Sequence, residues 1–181
     1  MKLRSYSGEG IILDKKNFSE ADKIFTVFTN HNGKISLIAK GVRRTKSRKR
    51  GHLEVFNYIK FHATFSKDMG LMTEAEVIDD FKEIRSSLNK ISLAYYFVEV
   101  IKKITQDNEP NLNLFKLMIK FLERLKTTTS LKKLRTEFAT TVLIEMGYWP
   151  EGKEVLDIDS VLEEVVERTL SSVRVGKLIS S

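Results

Sequence analysis

The apolar positions of this chain change period once, near residue 80. Before that point they come in short runs rich in β-branched and aromatic residues, separated by turn signals, which predicts strands. Gly8 to Asp14 and Asp22 to Thr29 read as the first two. His31-Asn32-Gly33 supplies the Asn-Gly signal of a tight hairpin, and Lys34 to Ala39 returns. From Leu53 to Phe65, Leu53, Val55, Ile59, Phe61, Ala63 and Phe65 fall on one face of a strand, and Glu54, Phe56, Tyr58, Lys60, His62 and Thr64 on the other. Asn57 is the only break. A turn over Lys67 to Gly70 leads to a fifth strand, Leu71 to Val77. Five short strands within about 70 residues match a small closed barrel, of the OB-fold or the SH3-like kind.

Beyond Asp80 the spacing is helical. Ile91, Ala94, Tyr95, Val98, Ile101 and Lys102 recur at i, i+3 and i+4, as do Leu114, Leu117, Met118, Phe121, Leu122 and Leu125. Asp107-Asn108-Glu109-Pro110-Asn111 separates these two helices. A third is expected to begin near Thr129 or Ser130 and to turn Leu131, Leu134, Phe138, Val142 and Met146 inward. It should stop at Gly147, with Pro150 behind it. A fourth is expected from about Ile158 to Val173. The fold class is therefore α+β, with a barrel domain over residues 1–80 followed by an all-α domain over residues 81–181.

Composition narrows the chemistry. With 181 residues, 41% hydrophobic and 30% charged, the chain has enough apolar material for a core. It contains no cysteine and three histidines, His31, His52 and His62, none with a second ligand at helical spacing, so neither a metal nor another cofactor is expected. No Walker loop, nucleophile motif or Gly-x-Gly-x-x-Gly element occurs, so no enzymatic activity is expected. The N-terminus has no apolar secretory core. The longest apolar stretch, Ile91 to Ile101, is interrupted by Ser92 and Glu99 and falls short of the roughly 18 to 20 residues that span a bilayer. A cytoplasmic, nucleoid-associated protein without a membrane segment is expected.

Charge is the most local feature. Residues 40–50 hold seven cations, Lys40, Arg43, Arg44, Lys46, Arg48, Lys49 and Arg50, and no acid, which accounts for the whole formal net charge of +7. The segment lies between two strand-like stretches. A cationic loop on a sheet suits a polyanion backbone, because Lys and Arg that displace condensed counterions gain affinity whatever the base sequence. A solvated loop is the plain alternative. Most barrel aromatics must fill the interior, but Phe56 and Tyr58 share a face with Glu54, Lys60 and His62 and are the stacking candidates. Glu20 and Asp22 have no third polar partner nearby in sequence and read as turn residues.

Several of these segments resemble the bacterial recombination mediator family RecO. Gly8-Glu9-Gly10-Ile11-Ile12-Leu13 is similar to its opening strand, and Ser19-Glu20-Ala21-Asp22-Lys23-Ile24 to the acidic turn that follows. Gly33-Lys34-Ile35-Ser36, continuing through Ala39-Lys40-Gly41-Val42-Arg43-Arg44 to Lys46-Ser47-Arg48, resembles its hairpin and basic loop in order and spacing. Thr73-Glu74-Ala75-Glu76 resembles the end of its barrel, and Gly147-Tyr148-Trp149-Pro150 the Gly-Tyr-x-Pro of its C-terminal domain.

The resemblance implies an OB-fold followed by a helical domain, in a protein without enzymatic activity. Such a protein binds single- and double-stranded DNA, anneals complementary strands, and helps RecA load on DNA coated by single-stranded-DNA-binding protein, working with RecR. Many members carry a four-cysteine zinc hairpin after Gly-Tyr-x-Pro. Here Glu151 to Leu156 runs almost directly into the last helix, so a fold independent of zinc is expected. The resemblance also implies that the acidic tail of single-stranded-DNA-binding protein docks on the helical half, where Lys132, Lys133 and Arg135 beside Leu131, Leu134 and Phe138 are the candidate. The basic segment alone leaves open an RNA-binding barrel of the translation or ribosome-associated type.

Overall fold

The first strand is long because it serves two neighbours. In the computed structural model, which describes residues 4–42, 53–65, 69–153 and 157–166, β1 (Arg4–Asn17) pairs through its first half with β4 (Tyr58–Phe65) and through its second half with β2 (Lys23–Thr29). The exchange falls at Gly10, opposite both Thr29 and Ile59. A side chain there would run into Val27 and the Phe28 carbonyl, so only glycine lets the strands approach. β3 (Gly33–Ala39) pairs with β2, and β5 (Gly70–Asp79) with β4. The barrel closes in the order β1-β2-β3-β5-β4, antiparallel except where β3 meets β5. This is the five-stranded OB-fold, which settles the choice that the sequence left between two barrels.

Alternation fills the interior as the pattern predicts. Ile12, Phe25, Val27, Leu37, Ile59 and Phe61 are each at most 1% exposed and pack together, each contributing about 1.5 to 3 kcal/mol of burial. At the β2–β3 turn the Thr29 hydroxyl donates to the Gly33 carbonyl (2.9 Å) and accepts from the Asn32 N–H (3.0 Å), with Gly33 at φ +66°.

The fourth strand differs from expectation. Regular pairing begins at Tyr58, and residues 53–57 form an irregular approach in which Phe56 sits at φ +59°. The Phe56 N–H donates to the Ile12 carbonyl (2.8 Å) and the Ile12 N–H to the Asn57 carbonyl (3.0 Å), beside a bulge in β1 between Ile12 and Asp14. Because alternation does not hold through this turn, Phe56 is fully buried.

Residues 105–111, of which 107–111 were expected only to separate two helices, group with the barrel. The Asn108 N–H donates to the Lys34 carbonyl (2.9 Å), and Lys34 Nζ donates to the Thr105 carbonyl (2.7 Å) and pairs with Asp107 (3.3 Å). Gly33 leaves no room for a side chain against the Glu109 backbone.

Among the described residues the second unit comprises 81–104, 112–153 and 157–166. It holds α1 (Lys82–Arg85), which the sequence pattern did not suggest, α2 (Leu88–Ile104), α3 (Leu112–Thr127), α4 (Leu131–Glu145) and α5 (Ile158–Val166). α2 touches the other four helices, so it buries more than one stripe. Leu93, Tyr96, Phe97, Val100 and Ile104 are covered, whereas Tyr95, expected inward, is 45% exposed. Phe97, Phe121 and Phe138 form its aromatic centre, with Phe121 and Phe138 edge to face at 5.3 Å. α4 ends before Gly147, which takes φ +76° as a helix-terminating glycine should. Among the described residues no helix is long and apolar enough to cross a membrane.

Candidate nucleic-acid interface

The basic segment leaves the barrel between β3 and β4. Arg43, Arg44, Lys46, Arg48, Lys49 and Arg50 lie outside the described residues; both of their roots lie within them. Lys40 is exposed, and the next two residues hold the chain to the barrel. The Gly41 N–H donates to Asp22 Oδ1 (2.9 Å) with Gly41 at φ +69°, and Val42 is buried in the barrel core. On the return side Leu53 is buried in the same core, and Glu54 forms an ion pair with Lys15. Asp22 belongs to the β1–β2 turn and Lys15 to β1, so the segment starts and ends against one hairpin. Both described roots of the segment therefore lie at one end of the barrel. The turn role expected for Asp22 takes this form: its backbone carbonyl accepts from the Phe18 N–H (3.1 Å), and its carboxylate holds Gly41.

The two aromatic candidates separate. Phe56, fully buried, has no face to offer a base, and its assignment as a stacking residue is corrected. Tyr58 is half-buried on β4, its hydroxyl donating to Glu9. Burial first, then that hydrogen bond and the Glu9 charge, push the phenol up to about 12. A carboxylate so close to the ring repels phosphate. The pattern missed Phe18, which is 57% exposed in the β1–β2 turn. The available signal was an aromatic residue inside the polar turn sequence Asn17 to Asp22, outside any strand alternation.

The helical candidate also divides. Lys132 and Lys133 are exposed and Leu131 is partly covered, but Arg135 is buried, pairs with Asp159 of α5, and lies 4.4 Å over the Tyr96 ring. It is corrected from a rim cation to an internal tie between α4 and α5. Burial, partly offset by this guanidinium, raises the Tyr96 phenol. A groove of about 510 Å3 opens instead between α3 and α4, with Leu117 and Phe121 beneath and Lys116, Lys120 and Arg124 along one side. Arg124 is engaged by Glu137, whereas Lys116 and Lys120 have no acidic partner among the described residues. Spacing alone could not show which exposed lysines border an apolar floor.

A closed five-stranded OB barrel, followed by a helical unit and carrying a cationic segment rooted on one hairpin, defines the class of protein. The family description Recombination protein O N terminal matches residues 1–81, and Recombination protein O C terminal matches residues 85–154. The chain is similar to the DNA repair protein RecO of Dehalococcoides mccartyi, 35% identical over 154 residues, covering 84% of this chain and 60% of that protein. The counterpart in Acetivibrio thermocellus is 33% identical over 142 residues, covering 78% and 57%. That of Roseiflexus is 26% identical over 168 residues, covering 93% and 59%. This chain belongs to the RecO family, and it spans about three fifths of the length of these relatives.

Proposed function

We propose that this chain acts in recombinational DNA repair as a DNA-binding mediator, with the cationic segment 40–50 as its phosphate-binding element. The observation that carries the reading is the rooting of that segment: a run of seven cations whose two described roots lie against one hairpin of an OB barrel, in a chain of the RecO family. Such a surface neutralises backbone phosphates with little base preference and so takes single- and double-stranded DNA. It also favours annealing, since cations on one surface reduce the repulsion between two strands brought together. The protein would work without catalytic chemistry in the cytoplasm, on the nucleoid, with RecR and in support of RecA loading.

For the acidic tail of single-stranded-DNA-binding protein, the α3–α4 groove is the better dock, since it joins an apolar floor to the free cations Lys116 and Lys120. Charge reversal at both positions should weaken binding of a tail peptide and leave DNA binding unchanged.

The test of the main reading is a binding and annealing series with single-stranded DNA, duplex DNA and RNA at several salt concentrations. Salt-sensitive DNA binding with accelerated annealing of complementary strands is expected. Strong preference for structured RNA without DNA annealing would turn the reading towards an RNA-binding barrel.

A further inference from the structure

We propose that Phe18 stacks on the bases of single-stranded nucleic acid, from the end of the β1–β2 hairpin beside Lys16, Lys23 and Lys40. The inference rests on the DNA-binding reading above and adds to it a contact with the bases themselves.

Among the described barrel phenylalanines, Phe25, Phe28, Phe56 and Phe61 are buried and Phe65 is partly covered, while Phe18 is 57% exposed. Nothing in the turn requires an aromatic residue: the Phe18 N–H donates to the Asp22 carbonyl, and the Asp22 carboxylate accepts from Gly41. These bonds fix the backbone that presents the ring, so little ordering is needed when a ligand arrives.

The surrounding charge suits a nucleic acid. Strand register aligns Asn17 with Lys23 and Lys23 with Ala39, which places Lys23 and Lys40 at the same end of the barrel as Phe18. Among the described residues neither lysine has an acidic partner, and the Lys16 side chain is 74% exposed, with Asp14 only at 4.0 Å. Glu20 and Asp22 are the acids of the same turn, and the Asp22 carboxylate is engaged by the Gly41 N–H. The exposed ring with three lysines at this end of the barrel matches a ligand that alternates π-faces with phosphates, and stacking of this kind tolerates any base.

The test compares an oligothymidylate with an abasic oligonucleotide of equal length and charge, using the full chain. Wild type should bind the oligothymidylate about fivefold to a hundredfold more tightly, the range expected for one stacked base. Phe18→Ala should erase that preference while leaving the dependence on salt unchanged, and Phe18→Tyr should retain it. As a second readout, Phe18→Trp in a Trp149→Phe background should show fluorescence quenched by the oligothymidylate and not by the abasic strand. If folded Phe18→Ala keeps the preference, or wild type has none, Phe18 is a turn residue only and phosphate binding stands on its own. If wild type binds neither oligonucleotide, the stacking proposal and the DNA-binding reading fall together.

Discussion

Phe56 holds a backbone conformation that phenylalanine seldom adopts, and it does so with its ring fully buried. The left-handed region costs a residue with a Cβ roughly 1 to 2 kcal/mol, which ring burial and the two backbone bonds to Ile12 offset. Phe56→Ala should therefore cost about 3 to 5 kcal/mol. Phe56→Gly should cost about 1 kcal/mol less than alanine, the reverse of their usual order. Urea denaturation of the two variants decides it, and a glycine variant less stable than alanine would remove the strain. Tyr58 gives a pH dependence. Its phenol ordinarily titrates near 10 and is held at about 12 in the fold, so the folded state keeps the proton longer. The stability this contributes is fully present below pH 10 and is lost as pH rises from about 10 towards 12. Tyr58→Phe should make stability fall less steeply across that window, and an unchanged slope would show that burial and the Glu9 contact do not raise the phenol in the fold. Strand alternation located Tyr58 correctly on the partly covered face. It misplaced Phe56 because alternation describes only regular strand, and a residue in a left-handed turn points where the turn sends it.

The helices were legible as elements, and their partners were not. Turn signals and the 3.6-residue period located α2, α3, α4 and the start of α5, because Gly, Pro and Asn interrupt backbone structure locally. Which face each helix buries depends on its neighbours, and Tyr95 lies outside although periodicity placed it inside. Arg135 is the clearest case, since in sequence it extends a run of exposed lysines. In the fold its side chain is 6% exposed and that of its partner Asp159 is 19% exposed. Breaking a buried pair leaves one uncompensated charge, so Arg135→Met and Asp159→Asn should each cost about 3 to 5 kcal/mol. Arg135→Met combined with Asp159→Leu should cost less than the sum of Arg135→Met and Asp159→Leu, by about 0.5 to 3 kcal/mol of coupling. Chemical denaturation through the double-mutant cycle measures this, and strict additivity would show that the two residues do not act together.

At the scale of the whole molecule, the barrel and its cationic segment were legible because one is a periodicity and the other a density of charge, both local in sequence. The attachment of residues 105–111 to the β2–β3 hairpin was not, since Lys34, Thr105 and Asp107 meet only after long-range folding. The α3–α4 groove was hidden for the same reason. The central claim is that the cations of residues 40–50 are the phosphate-binding element. If about four of them each meet a phosphate, the logarithm of the affinity for single-stranded DNA should fall with the logarithm of salt concentration at a slope of about −3. The most direct measurement is that slope for wild type and for a chain with Arg43, Arg44, Arg48 and Arg50 all replaced by alanine. A variant that keeps its circular dichroism and melting temperature but binds more weakly, with a slope reduced to about half or less, is the predicted result. A folded variant with wild-type affinity and slope would show that the segment is only a solvated loop and that DNA binds elsewhere.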